Sequence, residues 1–293
     1  MSHDATARAR WELPPILAVL LAIFSIQGGA ALAKTLFSEV GPSGTSALRI
    51  TFSAVMLLAL WRPRLWTYAR AHLGTAALFG LMLGLMNLSF YASIQRIPLG
   101  LAVTLEFIGP LAVAVFSSRR KRDFAWVALA ALGIVLISPI SPGSNLDPVG
   151  VGLALLAGAL WAGYILVGAR LGRAFQGGHG LALGMSVAAL VALPFGAAEA
   201  GWALLAPGVL LFGLGVAFLS SALPYSLEMT ALRRLPSRTF SILMSLEPAV
   251  AALMGWVFLS EALSVQQVIA MACVVAASAG ASLMRSAGDA DPA

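Results

Sequence analysis

Four ionisable residues stand inside otherwise apolar stretches of the sequence, and they are the first candidates for chemistry. They are Arg49, Glu106, Glu228 and Glu247. A charged group at the centre of a lipid bilayer costs at least about 2.5–3.5 kcal/mol, so such residues usually mark an ion or substrate pathway. A guanidinium binds carboxylates well, and a carboxylate in a dry site can hold an ammonium group or carry a proton.

Expected depth separates these residues. At a rise of 1.5 Å per residue, Arg49 and Glu106, about six and seven residues inside their stretches, both lie roughly 9–11 Å below the outer surface. At that depth the two can meet. The pair then either works on a substrate and a proton, or only fixes helix packing as a buried ion pair, and both readings stay open. Glu228 lies near the inner boundary, shortly before Arg233, and is interpreted as reaching the basic interface.

Two prolines predict kinks beside the carboxylates. A proline removes one backbone donor and frees the carbonyl four residues earlier, which is that of Glu106 for Pro110 and that of Met244 for Pro248. A backbone that lacks helical hydrogen bonds is tolerated inside a membrane only where it packs against protein or lines a cavity. Glu247, directly before Pro248, is therefore expected to hold an ammonium group or a proton.

Neutral polar and aromatic residues at the same depth add hydrogen-bonding groups. Individually, such residues more often join helices than bind a ligand. Trp161 and Tyr164 lie on neighbouring turns and are expected to wall a small pocket, and Pro224 predicts a third kink. The candidates that we add to the charged residues for substrate binding or coupling are Gln27, Asn87, Tyr91, Trp161, Tyr164 and Tyr225.

The elements that must position these residues are transmembrane helices. Of the 293 residues, 60% are hydrophobic and 10% are charged, whereas an ordinary soluble domain carries roughly 25% charged residues. Apolar runs of about 18 or more residues indicate membrane-spanning helices. We predict an all-α membrane protein with ten such spans, at about 14–34, 44–61, 73–94, 99–117, 124–139, 149–168, 181–198, 208–230, 240–259 and 265–284.

The distribution of cations predicts the orientation. Fifteen of the 18 Lys and Arg residues fall at the termini or in alternate loops, including the basic run 119–122. This alternation follows the positive-inside rule for a chain with both termini in the cytoplasm. The net charge of +6 is therefore a topology signal and predicts contact with membrane lipid headgroups, with no nucleic-acid partner.

The chain contains an internal repeat. Arg96-Ile97-Pro98 corresponds to Arg234-Leu235-Pro236 at an offset of 138 residues, and Pro110 corresponds to Pro248 at the same offset. The sequence thus divides into five-helix halves, 1–143 and 144–293. Because five is odd, the second half is expected to enter the membrane inverted. Inverted repeats are typical of carriers that work by alternating access.

The sequence offers little for other chemistry. Cys273 is the single cysteine, and His3, His72 and His179 are scattered through polar segments, so no metal site is predicted. Phosphate-binding loops and hydrolase motifs are missing as well. We expect no cofactor and no enzymatic activity.

Several short segments of the sequence resemble those of a known family. They include Ser25-Ile26-Gln27-Gly28-Gly29-Ala30, Ala47-Leu48-Arg49, Leu105-Glu106-Phe107-Ile108-Gly109-Pro110, Leu223-Pro224-Tyr225-Ser226-Leu227-Glu228-Met229 and Met244-Ser245-Leu246-Glu247-Pro248-Ala249. Together they resemble the EamA-type exporters of the drug/metabolite transporter superfamily, and among these the bacterial exporters of threonine and homoserine.

The resemblance implies an inner-membrane carrier that exports small amino acids, driven by the proton gradient. Two alternatives remain: a carrier of the same type for another solute, such as an aromatic amino acid or a drug-like metabolite, and a non-transporting membrane subunit. The resemblance fixes no binding residue. The roles of the candidate residues therefore rest on the charge and depth arguments above.

Overall fold

The computed structural model describes residues 14–116, 124–137, 146–232, 234–235 and 237–288. Within these ranges the chain is helical and contains no strand. The α-helices are α1 Pro15–Thr35, α2 Phe37–Trp61, α3 Arg70–Ile94, α4 Leu99–Glu106, α5 Ile108–Phe116, α6 Phe124–Ile137, α7 Pro148–Ala174, α8 His179–Ala200, α9 Pro207–Ala217, α10 Leu223–Leu232, α11 Ser237–Met244, α12 Glu247–Leu259 and α13 Val265–Gly288.

Six helical segments are long and apolar enough to cross a membrane. They are Pro15–Thr35, Phe37–Trp61, Arg70–Ile94, Pro148–Ala174, His179–Leu205 and Thr239–Leu259, and the shorter apolar helices are Leu99–Val113, Pro207–Ala222 and Val265–Gly280. The predicted all-α membrane fold is confirmed at this level, and the count of ten spans stays a prediction. The basic run 119–122 lies outside the described residues.

Three of the predicted stretches are broken helices, and each break precedes a proline. Phe107 separates α4 from α5, three residues before Pro110, and α12 begins only after Ser245 and Leu246, with Pro248 in its first turn. Between α9 and α10 the chain forms a π-helical turn, Phe218–Ala222. Because a proline has no backbone N–H, the regular helical hydrogen bonds stop at these points. The three breaks confirm the predicted kinks.

Small residues let the helices approach closely. Helix α2 packs along α8, α3 along α7 and α8, α1 along α10 and α12, α4 along α12, and α6 along α13. Gly80 faces the Gly184 carbonyl, and a Cβ at Gly84 would lie 3.1 Å from the Ala188 oxygen. Glycines four residues apart provide this close contact between membrane helices, so Gly80-x-x-x-Gly84 is a packing motif.

Ionic contacts lie at the helix ends. Glu261, before α13, accepts from Lys34 Nζ at 2.5 Å and from the Leu99 backbone N–H at 2.8 Å. Arg96 donates to Asp147 at 2.8 Å, and Asp147 also accepts the Val149 N–H as the N-cap of α7. The Arg96 hydrogen bond lowers the pKa of Asp147 below its ordinary value. These contacts join α1, α4 and α7 to neighbouring loops.

Candidate functional site

A cavity of about 260 Å³ lies among the helices at the level of the breaks. Its wall contains eight of the nine predicted site residues: Gln27, Arg49, Asn87, Tyr91, Glu106, Trp161, Tyr164 and Glu247. The side chain of the ninth, Tyr225, lies outside the described part of the structure. The wall also contains Glu228, which the sequence had placed at the basic interface, together with Ser53, Ser220 and Ser221. The structure thus brings the predicted residues together, while their roles remain predictions.

Arg49 is held by two neighbours on α3. Its Nη1 donates to Asn87 Oδ1, and its Cζ lies 5.7 Å from the centre of the Tyr91 ring. Asn87 Nδ2 in turn donates to the Leu83 carbonyl at 2.8 Å, which directs the amide oxygen toward the guanidinium. A cation over an aromatic face gains further electrostatic attraction when it is removed from water. Arg49 therefore has a defined position on the cavity wall.

Glu106, the last residue of α4, faces the same cavity as Arg49. Among the described residues the salt bridges are Lys34–Glu261 and Arg96–Asp147, and neither includes Arg49 or Glu106. The direct meeting of Arg49 and Glu106 that their depth allows is not observed. The guanidinium is therefore not locked to a carboxylate of the protein, and the reading as a purely structural ion pair loses its main support.

Glu247 lies where α12 begins, directly after the break. Its Oε2 accepts from Gln27 Nε2 at 3.2 Å, and its side chain is buried. Glu228 and Glu106 line the same cavity. Three acidic side chains thus lie around one cavity, with Arg49 as the basic residue among the described wall residues.

Glu228 corrects the sequence interpretation. It was placed at the basic interface, but the structure puts it on the cavity wall. The sequence contained a signal for this position, because Ser221, Pro224 and Glu228 follow the spacing of one helix face. All three line the cavity.

Aromatic rings close another side of the cavity. Trp161 meets the Phe107 ring edge-on at a centroid distance of 5.1 Å, and Tyr164 packs against Phe79 at 4.4 Å. Both Trp161 and Tyr164 lie on the wall, as expected for neighbouring turns of α7. Phe107 is the residue between α4 and α5, so Trp161 packs directly against the break in this helix.

Comparison with known proteins identifies the family. The family model "EamA-like transporter family" matches residues 148–283. Curated relatives include the threonine/homoserine exporter RhtA of Escherichia coli (strain K12) and that of Salmonella typhimurium (strain LT2). Each is 51% identical over 270 residues, which covers 92% of this chain and 91% of the relative. The chain belongs to the EamA-like transporter family. With its apolar helices and bacterial exporters as relatives, it is a multi-pass inner-membrane protein.

A solved structure agrees with this fold. One crystal structure of a protein matches the EamA-like chain with a TM-score of 0.61 at 19% identity, and it covers 93% of this chain and 99% of the other. At this identity the match bears on the helical architecture alone. It supports the overall arrangement of the helices.

The cavity of this EamA-like transporter has unused hydrogen-bonding capacity. Arg49 Nε, Tyr91 Oη and Ser220 Oγ are buried without a hydrogen-bond partner, and all three residues line the cavity. Buried polar groups are normally paired, so each exception calls for an explanation. Arg49 and Tyr91 lie side by side, so one polar ligand could bond to both. Among the described residues, no group of three His, Cys, Asp or Glu side chains is arranged to hold a metal ion.

Proposed function

We propose that this protein exports small amino acids of the threonine and homoserine type from the cytoplasm by alternating access. The observation that carries the proposal is a single buried cavity that presents a guanidinium and several carboxylates to the same space. An amino acid is a zwitterion and needs both kinds of partner. The names of the relatives at 51% identity point to the same substrate class.

The charges suggest how the substrate lies. The α-carboxylate binds Arg49 Nε and Tyr91 Oη, which otherwise stay unpaired. The ammonium group binds toward Glu247, where Gln27 already donates to Oε2 and leaves Oε1 for the ligand. The cavity of about 260 Å³ is slightly smaller than the roughly 300–1,000 Å³ of pockets for drug-sized ligands. It suits a small amino acid better than a large metabolite.

Charge balance supports proton coupling. Glu106, Glu228 and Glu247 face the cavity with Arg49, so full ionisation of the carboxylates would leave an excess of negative charge in a buried space. Uncompensated buried charge is strongly unfavourable. Protons taken up from outside neutralise the carboxylates, and a substrate ammonium group from the cytoplasm replaces them. Export of the amino acid is thereby exchanged for entry of protons.

Packing supports the two inverted halves, 1–143 and 144–293. The contact of α3 with α7 has its counterpart in the contact of α1 with α10, and α2–α8, α4–α12 and α6–α13 join equivalent helices. The breaks at Phe107 and Ser245 have the same offset as the two prolines that follow them. Ten spans with cytoplasmic termini fit this arrangement, and movement between such halves exposes the cavity alternately to either side.

Counterflow in proteoliposomes tests the proposed substrate. Vesicles with the purified protein are loaded with unlabelled threonine, and entry of external labelled threonine is followed. We expect saturable uptake that homoserine inhibits and that phenylalanine and lysine leave unchanged. Empty vesicles and vesicles loaded with phenylalanine are the controls. Uptake that follows phenylalanine or a drug-like solute instead of threonine would assign the carrier to another substrate.

A further inference from the structure

Two serines on facing elements form a hydrogen-bonded pair on the cavity wall. Ser53 lies on α2, one turn after Arg49, and Ser221 lies in the π-helical turn between α9 and α10. Their hydroxyl oxygens are 2.8 Å apart, and Ser53 Oγ is also 2.8 Å from the Arg49 carbonyl oxygen. The side chains are 1% and 5% exposed. The pair is separate from the charged groups but opens on the same cavity.

The number of protons in this pair leaves one bonding position unused. Each hydroxyl donates one proton and accepts at two lone pairs. The observed contacts have Ser53 as the donor, toward Ser221 Oγ and toward the Arg49 carbonyl. The Ser221 proton then has no protein acceptor in the described contacts, so Ser221 offers a hydrogen-bond donor to the cavity.

The π-helical turn is built to place Ser221 at this position. The turn Phe218–Ala222 is wider than an α-helical turn, and Pro224 removes the N–H that would otherwise bond the Ser220 carbonyl. Ser25 on α1 donates to the Leu219 carbonyl at 2.6 Å, which anchors the widened turn. Isolated π-helical turns occur frequently at functional sites.

The position of the pair fits the side chain of a bound amino acid. Ser53 follows Arg49 by four residues, so their Cβ atoms are about 5–6 Å apart on one helix face. A substrate whose carboxylate lies at Arg49 directs its side chain toward a neighbouring turn of this kind. Threonine carries its hydroxyl on the β-carbon and homoserine on the γ-carbon. The oxygen of such a hydroxyl can accept the Ser221 proton, which an aliphatic side chain cannot do.

We propose that Ser53 and Ser221 form the subsite that recognises the side-chain hydroxyl of the substrate. The proposal rests on the amino-acid export proposed above and deepens it, because it assigns the preference for hydroxylated over aliphatic amino acids to two residues. Valine has nearly the shape of threonine but replaces the hydroxyl by a methyl group. Binding of valine leaves the Ser221 position unpaired in a buried site, which is unfavourable.

The test is threonine counterflow with valine as competitor, in wild type, Ser221→Ala and Ser53→Ala. For wild type we expect valine to compete roughly tenfold less well than threonine, which is the effect of about one hydrogen bond. In Ser221→Ala the two should compete within about twofold, with a raised KM for threonine and counterflow retained. Ser53→Ala should shift the preference in the same direction.

Ser186→Ala is the matched control. Ser186 donates to the Ala182 carbonyl within α8 at 2.8 Å, as Ser53 does within α2, and it lies outside the cavity wall. It should keep the wild-type preference. Thermal stabilisation of the purified variants by threonine and by valine gives the same comparison without transport and shows that they are folded.

The outcomes separate the subsite from the function. If wild type prefers threonine and both serine variants keep that preference, the hydroxyl subsite is wrong and amino-acid export stands. If wild type shows neither threonine counterflow nor stabilisation by threonine, the proposed function fails and the subsite fails with it.

Discussion

At the residue scale, Arg49 is the group that we expect to bind the carboxylate of the substrate. Asn87 and Tyr91 hold the guanidinium from α3, and no cavity carboxylate forms a salt bridge with it within the described structure. Its Nε is therefore available to a ligand. A planar guanidinium binds a carboxylate through two parallel hydrogen bonds, which a lysine ammonium cannot reproduce.

Arg49→Gln should raise the KM for threonine by about 10- to 100-fold, because it removes a charge-assisted hydrogen bond to the substrate carboxylate. Arg49→Lys should recover only part of this loss, since lysine restores the charge but not the two parallel hydrogen bonds of a guanidinium. Counterflow rates over a range of threonine concentrations measure the effect. Arg64→Gln, at an exposed position before α3, is the control. An unchanged KM in Arg49→Gln would remove the residue from substrate binding.

Glu247→Gln should separate exchange from proton-driven transport. Glutamine keeps the size and the contact toward Gln27 but cannot take up a proton to become neutral. We expect threonine counterflow to continue with a raised KM, because the amide oxygen still accepts from the substrate ammonium group but lacks the charge. Export driven by an imposed pH gradient should fall to the level without a gradient. Glu39→Gln, exposed near the start of α2, should behave as wild type. Full gradient-driven export in Glu247→Gln would exclude Glu247 as the coupling group.

The charged residues of the cavity stand out in the sequence, and the pair of Ser53 with Ser221 does not. Arg49, Glu106 and Glu247 stand out because charge at membrane depth is costly. Ser53 and Ser221 do not, because serine is common in membrane helices as a residue that joins neighbours. Only the distance between the two hydroxyls distinguishes this pair. Glu228 lay between these cases, since its charge was evident but its place on the cavity wall was not.

At the element scale, broken helices place functional groups in the cavity. Glu106 ends α4, Glu247 begins α12, and Ser221 lies in the π-helical turn before α10. The breaks could be predicted from Pro110, Pro224 and Pro248, because a proline interrupts the helical hydrogen bonds wherever it occurs. The π-helical form of one break was not predicted, since a proline alone does not specify how the preceding turn relaxes.

Glu261 is expected to stabilise the helix ends to which it is bound. Glu261→Ala removes both the Lys34 salt bridge and the acceptor for the Leu99 N–H. Loss of hydrogen bonds to a half-buried charge should lower the free energy of unfolding by about 2 kcal/mol. Thermal unfolding of the purified protein in detergent should show an apparent Tm several degrees below wild type. Glu39→Ala is the control, and an equal Tm for Glu261→Ala and wild type would show that the contact contributes no stability.

At the scale of the whole molecule, the equivalent breaks belong to corresponding helices of the two proposed halves. The sequence offset of 138 residues predicted this relation, because it aligned both a loop motif and a proline. Which helices pack together between the halves could not be predicted from the sequence. Helix α2 meets α8 and α4 meets α12 through small residues, and small residues do not specify a partner helix. The cavity exists because these pairings leave space between the broken helices.

The central claim is that this one cavity binds both charges of an amino acid. Competition with two threonine analogues tests it most directly, in counterflow of labelled threonine by the wild-type protein. One analogue, threonine amide, lacks the carboxylate, and the other, 2,3-dihydroxybutyrate, lacks the ammonium group. We predict that homoserine competes and that each analogue competes at least tenfold less well. Equal competition by either analogue would show that the corresponding charge is not recognised and would contradict the account.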